Sequence, residues 1–590
     1  MNWRAILLTF SLIFLTAFLF VDRPAVVLPV HAGPLPDTGP FSEQKGGAEQ
    51  VVRVTFDDLR TAYRVAAAIE PLEAAYDRGY LLLAASPEEM ARLRASGLMV
   101  TVDEEWIEGR PFPYSVLGLA GAEAIPGYDC YRTVEETYAT AETLAAAFPN
   151  LATWNDVGDS WEKTQDQGGY DMRVLVLTNT AVPGPKPKIF ITASIHAREY
   201  TPAELVTRFA EQLLNSYGND ADITWILDYH EIHLMLMANP DGRKWAELGY
   251  WWRKNTNEAY CSAGRQSQGA DLNRNFPFHW GCCGGSSVDE CSEVFRGAGP
   301  ASEPETQAIV EYMRASFPDS RGPGPADAAP IATPGLYLDM HSSGQLLLWP
   351  WGDTAEPAPN ADQLQTLGRK LAYFNGHWPT QSIGLYPTDG TTTDFAYGEL
   401  GIAAYTYELG TSFFEPCTYF ENTLLPANIP SLLYALKVAR EPYRTPAGPD
   451  ILDIAAGSSA EAPGVPAGTV IEVSAVVDDR RYSPENGMEP RQAIAGARYK
   501  IDLPFWQGGE TGAMRAVDGV FDDPREAVTA EIDTTGLSAG RHTLFLSGQD
   551  AAGNWGAVSA IFFYLNEGEP LPRLYYSYLS FLSDGRSGTP

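Results

Sequence analysis

Basic residues are scarce in this chain. Its 590 residues include 41 Lys and Arg against 75 Asp and Glu, which gives a net charge of −34. A surface of this sign repels phosphate groups, so the composition argues against nucleic acids and anionic membranes as partners. The length favours several domains rather than one.

Long stretches without charge are also few, and one of them lies at the N-terminus, where it bears on targeting. Arg4 precedes an uncharged run from Ala5 to Val21, and Val30-His31-Ala32 offers a small-residue cleavage site. This pattern predicts a signal peptide over residues 1–32, secretion, and no membrane association after cleavage. An uncleaved anchor is the alternative, because the run approaches the length that spans a bilayer.

Cysteine is rare, and its even count favours disulfides in an exported protein. The six are Cys130, Cys261, Cys282, Cys283, Cys291 and Cys417. A zinc site made of His279, Cys282, Cys283 and Cys291 is the alternative. Adjacent cysteines cannot easily both reach one tetrahedral ion, so we favour disulfides.

Strand and helix patterns divide the remaining chain into folded parts. Alternating strands and helices predict an α/β domain with a mostly parallel mixed sheet and helices on both faces. A small α+β unit precedes it, and alternating apolar and polar residues predict an antiparallel, Ig-like β-sandwich after it. The divisions are 49–108 (α+β unit), 109–126 (linker with an exposed, cleavable segment around Arg110), 127–445 (α/β domain), 451–566 (β-sandwich) and 567–590 (aromatic tail).

His196 and Glu199 lie in a short loop between a predicted strand, Ile189–Ala193, and a predicted helix, Thr201–Tyr217. Open α/β sheets place ligands at the carboxyl ends of their strands. An imidazole and a carboxylate at this spacing can converge on one zinc ion, which accepts nitrogen and oxygen ligands. The pair alone is weak evidence, so a third ligand is required.

The start of this helix carries the usual N-terminal signals. Thr201 is the predicted N-cap, Pro202 the first helical residue, and Glu204 completes a capping box. The helix should therefore begin directly after the loop.

His341 is the candidate third ligand, because the apolar strand Leu336–Met340 delivers it into a loop of small residues. Glu408 ends another apolar strand, Ile402–Glu408. Burying a carboxylate at the end of so apolar a strand costs folding free energy, which favours a functional role for Glu408.

These residues belong to motifs that together resemble the zinc carboxypeptidases of the carboxypeptidase A type, the M14 peptidases. The motifs around residues 280–287 and 393–397 are most similar to the secreted bacterial members called carboxypeptidase T. The matching segments are His196-Ala-Arg-Glu199, Asn239-Pro-Asp-Gly242, Trp252-Arg-Lys254, Asp271-Leu-Asn-Arg-Asn275, Cys291-Ser-Glu-Val-Phe-Arg-Gly297, His341-Ser-Ser-Gly-Gln345, Tyr386 and Glu408-Leu409.

The resemblance implies a metal site and a catalytic pair. His196, Glu199 and His341 would hold one zinc ion per chain. Glu408 would be the general base, and Arg253 would stabilise the oxyanion.

It also implies a site for the C-terminus of a peptide or protein. Asn273 and Arg274 would bind the terminal carboxylate, Tyr386 would close over the bound residue, and Arg198 would line the adjoining subsite. We expect a monomer. The small unit at 49–108 resembles the family's pro-domain, which predicts a zymogen.

The specificity pocket would be lined by residues after Tyr386. Family members that accept basic residues carry Asp at the places matched by Thr391 or Thr393, so the uncharged side chains here predict a preference for apolar and aromatic residues. Asp339 matches a pocket-lining Ser of the digestive enzymes and could supply a charge instead. We expect surrounding polar groups to hold it.

Disulfide pairing also follows the resemblance, which implies Cys261–Cys291. A bridge between the neighbours Cys282 and Cys283 would leave Cys130 with Cys417.

Two other functions fit the same sequence. An amidase acting on cell-wall peptides would use the same fold, and its substrates also end in a carboxylate. A catalytically inactive binding protein is the alternative from another class, although the candidate base and all three candidate ligands are present.

Overall fold

The structure is a computed structural model and describes residues 50–69, 71–75, 78–85, 87–103, 124–261 and 268–570. The predicted signal peptide lies outside the described residues, as do most of the predicted cleavable segment and of the aromatic tail. None of the described helices is long and apolar enough to cross a membrane.

The N-terminal unit is a four-stranded antiparallel sheet with two helices. The strand order is β2-β3-β1-β4. The predicted α+β unit is present, and its strand β2 opens with Pro and carries a Glu, a composition that edge strands tolerate. The elements are β1 (Gln50–Thr55), α1 (Leu59–Ala68), β2 (Pro71–Ala75), β3 (Tyr80–Ala85), α2 (Pro87–Ala95) and β4 (Met99–Val102).

The two faces of this sheet pack differently. Val52 and Leu83 share a core with residues of α1 and α2. Val51 and Leu82 point to the opposite face and are buried in the core of the following domain. The unit is therefore docked onto that domain through its sheet.

A second, mixed sheet of eight strands forms the central domain, in the order β11-β10-β12-β9-β7-β8-β6-β5. The four middle strands β12, β9, β7 and β8 run parallel, and the outer pairs β5/β6, β6/β8 and β10/β12 are antiparallel. The strands are β5 (Ala152–Asp159), β6 (Asp171–Leu177), β7 (Lys188–Ala193), β8 (Glu231–Met235), β9 (Leu336–Ser342), β10 (Leu346–Trp349), β11 (Trp378–Gln381) and β12 (Ala403–Leu409).

Helices cover both faces of this sheet, which confirms the predicted fold class. One of them, α5, contacts β7 and β9, while Tyr312 of α8 packs on Phe190 of β7 at 5.2 Å between ring centroids. The helices are α3 (Val134–Ala147), α4 (Trp161–Thr164), α5 (Tyr200–Ser216), α6 (Ala221–Tyr229), α7 (Pro240–Glu247), α8 (Pro304–Ser316), α9 (Ala361–Asn375), α10 (Thr392–Leu400), α11 (Cys417–Tyr419) and α12 (Leu425–Val438).

The predicted N-cap of α5 was wrong. The N-cap is Glu199, and the first helical residue is Tyr200, two residues before the predicted Pro202. The Glu204 carboxylate accepts hydrogen bonds from Arg132 and Arg208 at 2.8 and 2.7 Å instead of closing a capping box. Two cations outcompete a backbone N–H for this buried carboxylate, because charge-assisted hydrogen bonds are the stronger ones.

The C-terminal part has two layers of strands around one core. Strand β17 pairs with β16 at one end and with β18 at the other, so it joins the layers. Ile471 and Val528 of one layer share a core with Leu544 and Phe563 of the other. Pairing is antiparallel except between β14 and β20. The strands are β13 (Asp450–Ala455), β14 (Val465–Pro466), β15 (Val470–Asp478), β16 (Ile494–Ile501), β17 (Gly512–Ala516), β18 (Arg525–Asp533), β19 (Gly540–Asp550) and β20 (Ser559–Asn566).

The three predicted disulfides are all present. Cys130 is bonded to Cys417, Cys261 to Cys291, and Cys282 to its neighbour Cys283. No cysteine remains free, so the zinc site considered around His279 has no thiolate to offer.

Candidate active site

The three predicted metal ligands meet at the carboxyl ends of β7 and β9. His196, Glu199 and His341 are buried, and their ligand atoms lie within 4.8 Å of one another. Glu199 Oε1 lies 2.7 Å from His196 Nδ1, and Glu199 Oε2 lies 3.2 Å from His341 Nδ1. The two Nδ1 atoms are 3.1 Å apart, so all three side chains face one point.

The backbone conformation at Ser194 and the side chain of Asn239 hold the loop that carries His196. Ser194 takes a left-handed conformation, with φ at 61°, where the chain leaves β7. Asn239 Nδ2 donates to the carbonyl oxygens of Ile195 and Lys254 at 3.2 and 2.9 Å, which joins this loop to the one that carries Arg253.

Glu199 occupies the N-cap position of α5, but its side chain does not cap the helix. Its Oε2 accepts a hydrogen bond from Ser342 N at 3.1 Å, which turns the carboxylate toward the two histidines. Burial by itself would raise the pKa of Glu199, but His196 and His341 outweigh it and the pKa is lowered. The carboxylate is therefore in its anionic form.

Asp271 organises the other side of this centre. Its Oδ1 lies 3.2 Å from His196 Nε2, and its Oδ2 accepts hydrogen bonds from Arg253 Nε and Nη2 at 3.1 and 2.8 Å. Burial would raise the pKa of Asp271, but Arg253 and Arg274 hold it well below its usual range. Asp271 belongs to the matching segment Asp271–Asn275 but had no predicted role, although an Asp beside an Asn-Arg pair was a usable signal.

These residues fit a zinc ion. An anionic acceptor beside His196 Nε2 favours the tautomer with its proton on that atom, which leaves the Nδ1 lone pair directed at Glu199 and His341. Two imidazole nitrogens and one carboxylate, buried and convergent, form a common donor set for catalytic zinc.

Glu408 lies beside this centre. Strands β12 and β9 run parallel, and Glu408 is the pairing partner of His341. Paired residues on neighbouring strands project from the same face of a sheet, so the half-buried carboxylate of Glu408 and the imidazole of His341 share one face.

Arg253 and Arg198 take different positions. Arg253 is 1% exposed, and its Nη1 lies 3.4 Å from His196 Nδ1. The Arg198 guanidinium lies 4.4 Å from the Phe413 ring centroid, and its Nη1 lies 3.2 Å from Glu293 Oε2. Arg253 therefore directly contacts the candidate metal ligand His196, and Arg198 lies against Phe413 and Glu293.

Asn273 and Arg274 lie between the metal ligands and the start of α10. Asn273 Nδ2 lies 3.1 Å from His341 Nε2, and Asn273 Oδ1 accepts from Thr392 N at 2.9 Å. Arg274 Nε donates to Gly285 O at 2.9 Å, and its guanidinium lies 5.9 Å from the Tyr386 ring centroid. The candidate carboxylate-binding residues therefore lie directly beside the candidate metal ligands in space.

The chain approaches Arg274 closely from the pocket side. A Cβ atom at Gly390 would lie 2.5 Å from Arg274 O, so only glycine fits there. Thr391 is the N-cap of α10 and Thr393 lies in its first turn, both buried. The predicted specificity residues Thr391 and Thr393 therefore come immediately after Gly390, which packs on Arg274.

Polar groups surround Asp339, as expected. It is fully buried, and Thr192 Oγ1 donates to its Oδ1 at 2.7 Å while Thr392 Oγ1 donates to its Oδ2. Its Oδ2 also lies 2.9 Å from His341 Nε2. Burial would raise the pKa of Asp339, but His341 lowers it.

Tyr386 belongs to a core cluster with the N-terminal unit. It is 8% exposed and is buried together with residues of β1, β3, α1 and α2. The N-terminal unit thus packs on the candidate tyrosine of the substrate site.

A buried His-Glu-His centre at the carboxyl edge of a mostly parallel sheet, with Arg253 beside it, is typical of zinc hydrolases. The sequence profile of the zinc carboxypeptidases matches residues 137–425. A zinc carboxypeptidase from Saccharothrix mutabilis subsp. capreolus is 31% identical over 420 residues, which are 68% of this chain and 89% of that protein. Carboxypeptidase A1 from Rattus norvegicus is 30% identical over 309 residues, 51% of this chain and 66% of the other.

Among solved structures, carboxypeptidase A from Helicoverpa armigera has the same fold. The TM-score is 0.51 at 22% identity, over 67% of this chain and 97% of the other. The chain belongs to the zinc carboxypeptidase family. It is a peptide hydrolase of the metallocarboxypeptidase type.

Proposed function

We propose that this protein is a secreted enzyme that removes C-terminal residues from peptides and proteins, with one zinc ion held by His196, Glu199 and His341. The observation that carries the proposal is the convergence of these three side chains within 4.8 Å, with Glu408 paired beside His341. Zinc bound there would activate a water molecule and polarise the scissile carbonyl group.

Proton transfer and stabilisation of the oxyanion are then carried out by residues of the chain. Glu408 accepts a proton from the attacking water and returns it to the leaving amine. Arg253, which Asp271 holds in place, stabilises the negative charge that develops on the carbonyl oxygen.

Substrate binding involves four further residues. Asn273 and Arg274 bind the terminal carboxylate, for which a guanidinium offers bidentate geometry. Tyr386 covers the terminal residue, and Arg198 contacts the residue that precedes the scissile bond.

The pocket should prefer apolar and aromatic residues, because no available carboxylate lies at its predicted lining. Thr391 and Thr393 are uncharged. Asp389 accepts hydrogen bonds from Cys283 N and Gly285 N at 3.1 and 2.9 Å. Burial raises the pKa of Asp394 to about 8, so its carboxyl group is mostly neutral at pH 7.

The reaction is tested with blocked dipeptides on protein from which residues 1–126 have been removed proteolytically. Hydrolysis should stop when a chelator is added and return when zinc is restored. The matching dipeptide amide should be a much poorer substrate, because it lacks the carboxylate that Arg274 binds. Hydrolysis that survives complete metal removal would contradict the proposal.

Substrate preference is tested by comparing kcat/KM for matched peptides that end in Phe, Leu, Lys and Arg. We expect Phe and Leu to exceed Lys and Arg, because a buried cation without a counter-ion is costly. A preference for Lys or Arg would contradict this assignment of the pocket.

Latency and secretion complete the proposal. The N-terminal unit packs on Tyr386, so it is proposed to inhibit the enzyme until the chain is cut. Three disulfides and the predicted signal peptide support secretion. We propose a monomer that acts on peptide C-termini and binds neither nucleic acid nor membrane.

A further inference from the structure

Asp339 is a fully buried carboxylate whose oxygens are both occupied. Thr192 donates to Oδ1, and Thr392 and the ring of His341 contact Oδ2. Sheet register sets this arrangement, since Asp339 pairs with Thr192 on β7 and lies two residues before His341 on β9, on the same face. The carboxylate is thus built into the sheet next to one candidate metal ligand.

The contacts around His341 Nε2 identify the group that accepts its proton. Asn273 Nδ2 also lies near this atom, at 3.1 Å. Because Thr392 N donates to Asn273 Oδ1, the Asn273 amide turns its NH₂ group, a donor, toward the ring. A proton on His341 Nε2 therefore has Asp339 as its acceptor, at 2.9 Å.

We infer that Asp339 is a positioning residue for His341 and not a specificity residue of the pocket. The inference rests on the proposed zinc site. A carboxylate that accepts the Nε2 proton fixes the tautomer with the lone pair on Nδ1, orients the ring and makes the ligand more basic.

Asp339 then does for His341 what Asp271 does for His196. Each candidate histidine ligand presents Nδ1 to the centre and Nε2 to a buried aspartate, at 2.9 and 3.2 Å. The two aspartates differ in their other partners, because Asp271 also holds Arg253 whereas Asp339 is held by threonine hydroxyls. Asp339 is therefore the aspartate whose removal tests the support of a histidine without disturbing an arginine.

The experiment measures zinc affinity by competition with a chromophoric chelator, on the processed protein and its Asp339→Asn variant. Asparagine has one acceptor oxygen where Asp339 serves three donors, so support of His341 is lost or weakened. We expect zinc binding about 10- to 100-fold weaker, the usual effect of removing such a partner. The ratio of kcat/KM values for peptides that end in Phe and Arg should stay the same.

Two milder variants form a matched pair in case Asp339→Asn does not fold. Thr192→Val removes one hydrogen bond to Asp339, and Thr207→Val removes a buried hydroxyl that donates to Ala203 O within helix α5 at 2.7 Å. Zinc binding should weaken in the first variant and stay unchanged in the second. Equal zinc affinities in these two variants would overturn the inference.

Other outcomes separate this inference from the proposed function. Wild-type protein that holds no zinc would overturn both. Zinc affinity that is normal in the wild type and identical in Asp339→Asn would overturn the inference alone. A change in the Phe-to-Arg ratio with unchanged zinc affinity would make Asp339 a specificity residue.

Discussion

At the scale of single residues, four acidic side chains at the centre differ in role because they differ in their partners. Glu199 faces both histidines, Asp271 is held by Arg253, and Asp339 is held by threonine hydroxyls. Glu408 is the half-buried one, at the end of β12. A group that exchanges protons with a substrate needs access to it, which favours Glu408 as the base.

Replacing Glu408 with Gln tests this assignment. The variant keeps the size of the side chain but cannot accept a proton, so kcat should fall by at least about 10²–10⁴-fold while bound zinc is retained. Peptide hydrolysis and metal content are measured together. Glu421→Gln, an exposed residue that pairs with Arg208, is the control and should behave as wild type. A Glu408→Gln enzyme with near-normal kcat would exclude Glu408 as the base.

At the scale of elements, the loop from Cys282 to Ser286 links Asp389, beside the proposed pocket residues, to Arg274, the proposed binder of the substrate's carboxylate. Gly285 uses its N–H to donate to Asp389 and its carbonyl oxygen to accept from Arg274 Nε, both at 2.9 Å. The Cys282–Cys283 disulfide closes one end of this loop. The loop therefore helps to orient Arg274.

Removing that disulfide should weaken substrate binding more than chemistry. In a Cys282→Ser/Cys283→Ser double variant, KM for peptides with a free carboxylate should rise about threefold to tenfold, as expected for one weakened hydrogen bond. Both kcat and zinc content should change little. The double variant Cys130→Ser/Cys417→Ser is the control, and it should lower thermal stability while KM stays constant. An unchanged KM in the first variant would separate the loop from Arg274.

The start of helix α10 makes stability depend on pH. Asp394 accepts hydrogen bonds from Gly352 N, and burial, with the nearby charge of Asp353, raises its pKa from 3.8 to about 8. The folded state thus binds this proton more tightly than the unfolded state. Its contribution to stability is complete below pH 3.8 and is lost as the pH rises through about 8.

The Asp394→Asn variant has no ionisable group at position 394, so its stability should fall less than that of the wild type as the pH rises through about 8. Melting temperatures measured between pH 5 and pH 9 should fall in the wild type and fall less in the variant. Asp518→Asn, at an exposed turn, serves as the control and should follow the wild type. Parallel curves for wild type and Asp394→Asn would show that Asp394 does not titrate in this range.

At the scale of the whole molecule, the N-terminal unit should keep the enzyme latent. Leu82 is 1% exposed and faces the central domain, and Tyr386 is buried in one cluster with residues of the N-terminal unit. Activity on blocked dipeptides should therefore rise strongly when the chain is cut between residues 108 and 127.

A variant can test latency without cleavage. Leu82→Asp places a charge in the interface and should release activity from the uncut protein, because a buried unpaired charge disfavours docking. Thr101→Asp, on an exposed position of β4, should leave the uncut protein latent. Equal activity before and after cleavage would show that the unit is not an inhibitor.

The β-sandwich should unfold together with the central domain. Lys370 of α9 forms an ion pair with Asp450 of β13 at 3.0 Å, with both side chains almost fully buried. Trp506 packs on Trp225 at 5.7 Å, and Phe545 belongs to the core of the central domain. A chain without the sandwich would expose this surface.

Thermal unfolding tests this coupling. The processed protein should show one transition, and Lys370→Met should be destabilised by about 1.5–3 kcal/mol, because Asp450 loses one charge-assisted hydrogen bond and keeps only Arg481, at 3.4 Å. Arg444→Met, from an exposed pair with Glu441, should change stability little. Two separate transitions would identify the sandwich as an independent module.

The sequence by itself determined the local elements and the candidate chemistry. Period-2 and apolar runs place strands such as β7 and β9, and polar residues directly after them mark His196, Glu199 and His341. These patterns involve residues that are close together in the sequence, so they can be recognised without knowing how the chain packs. The same limit explains the error at α5, where remote Arg132 competes for Glu204.

Only the tertiary structure decided which groups meet. Asp271 reaches His196 across 75 positions of the chain, and Thr392 reaches Asp339 across 53. It also decided that the N-terminal unit packs on Tyr386 and that Lys370 pairs with Asp450. The physical reason is that a carboxylate takes the partners that packing brings within hydrogen-bond distance, and no local pattern in the sequence records that distance.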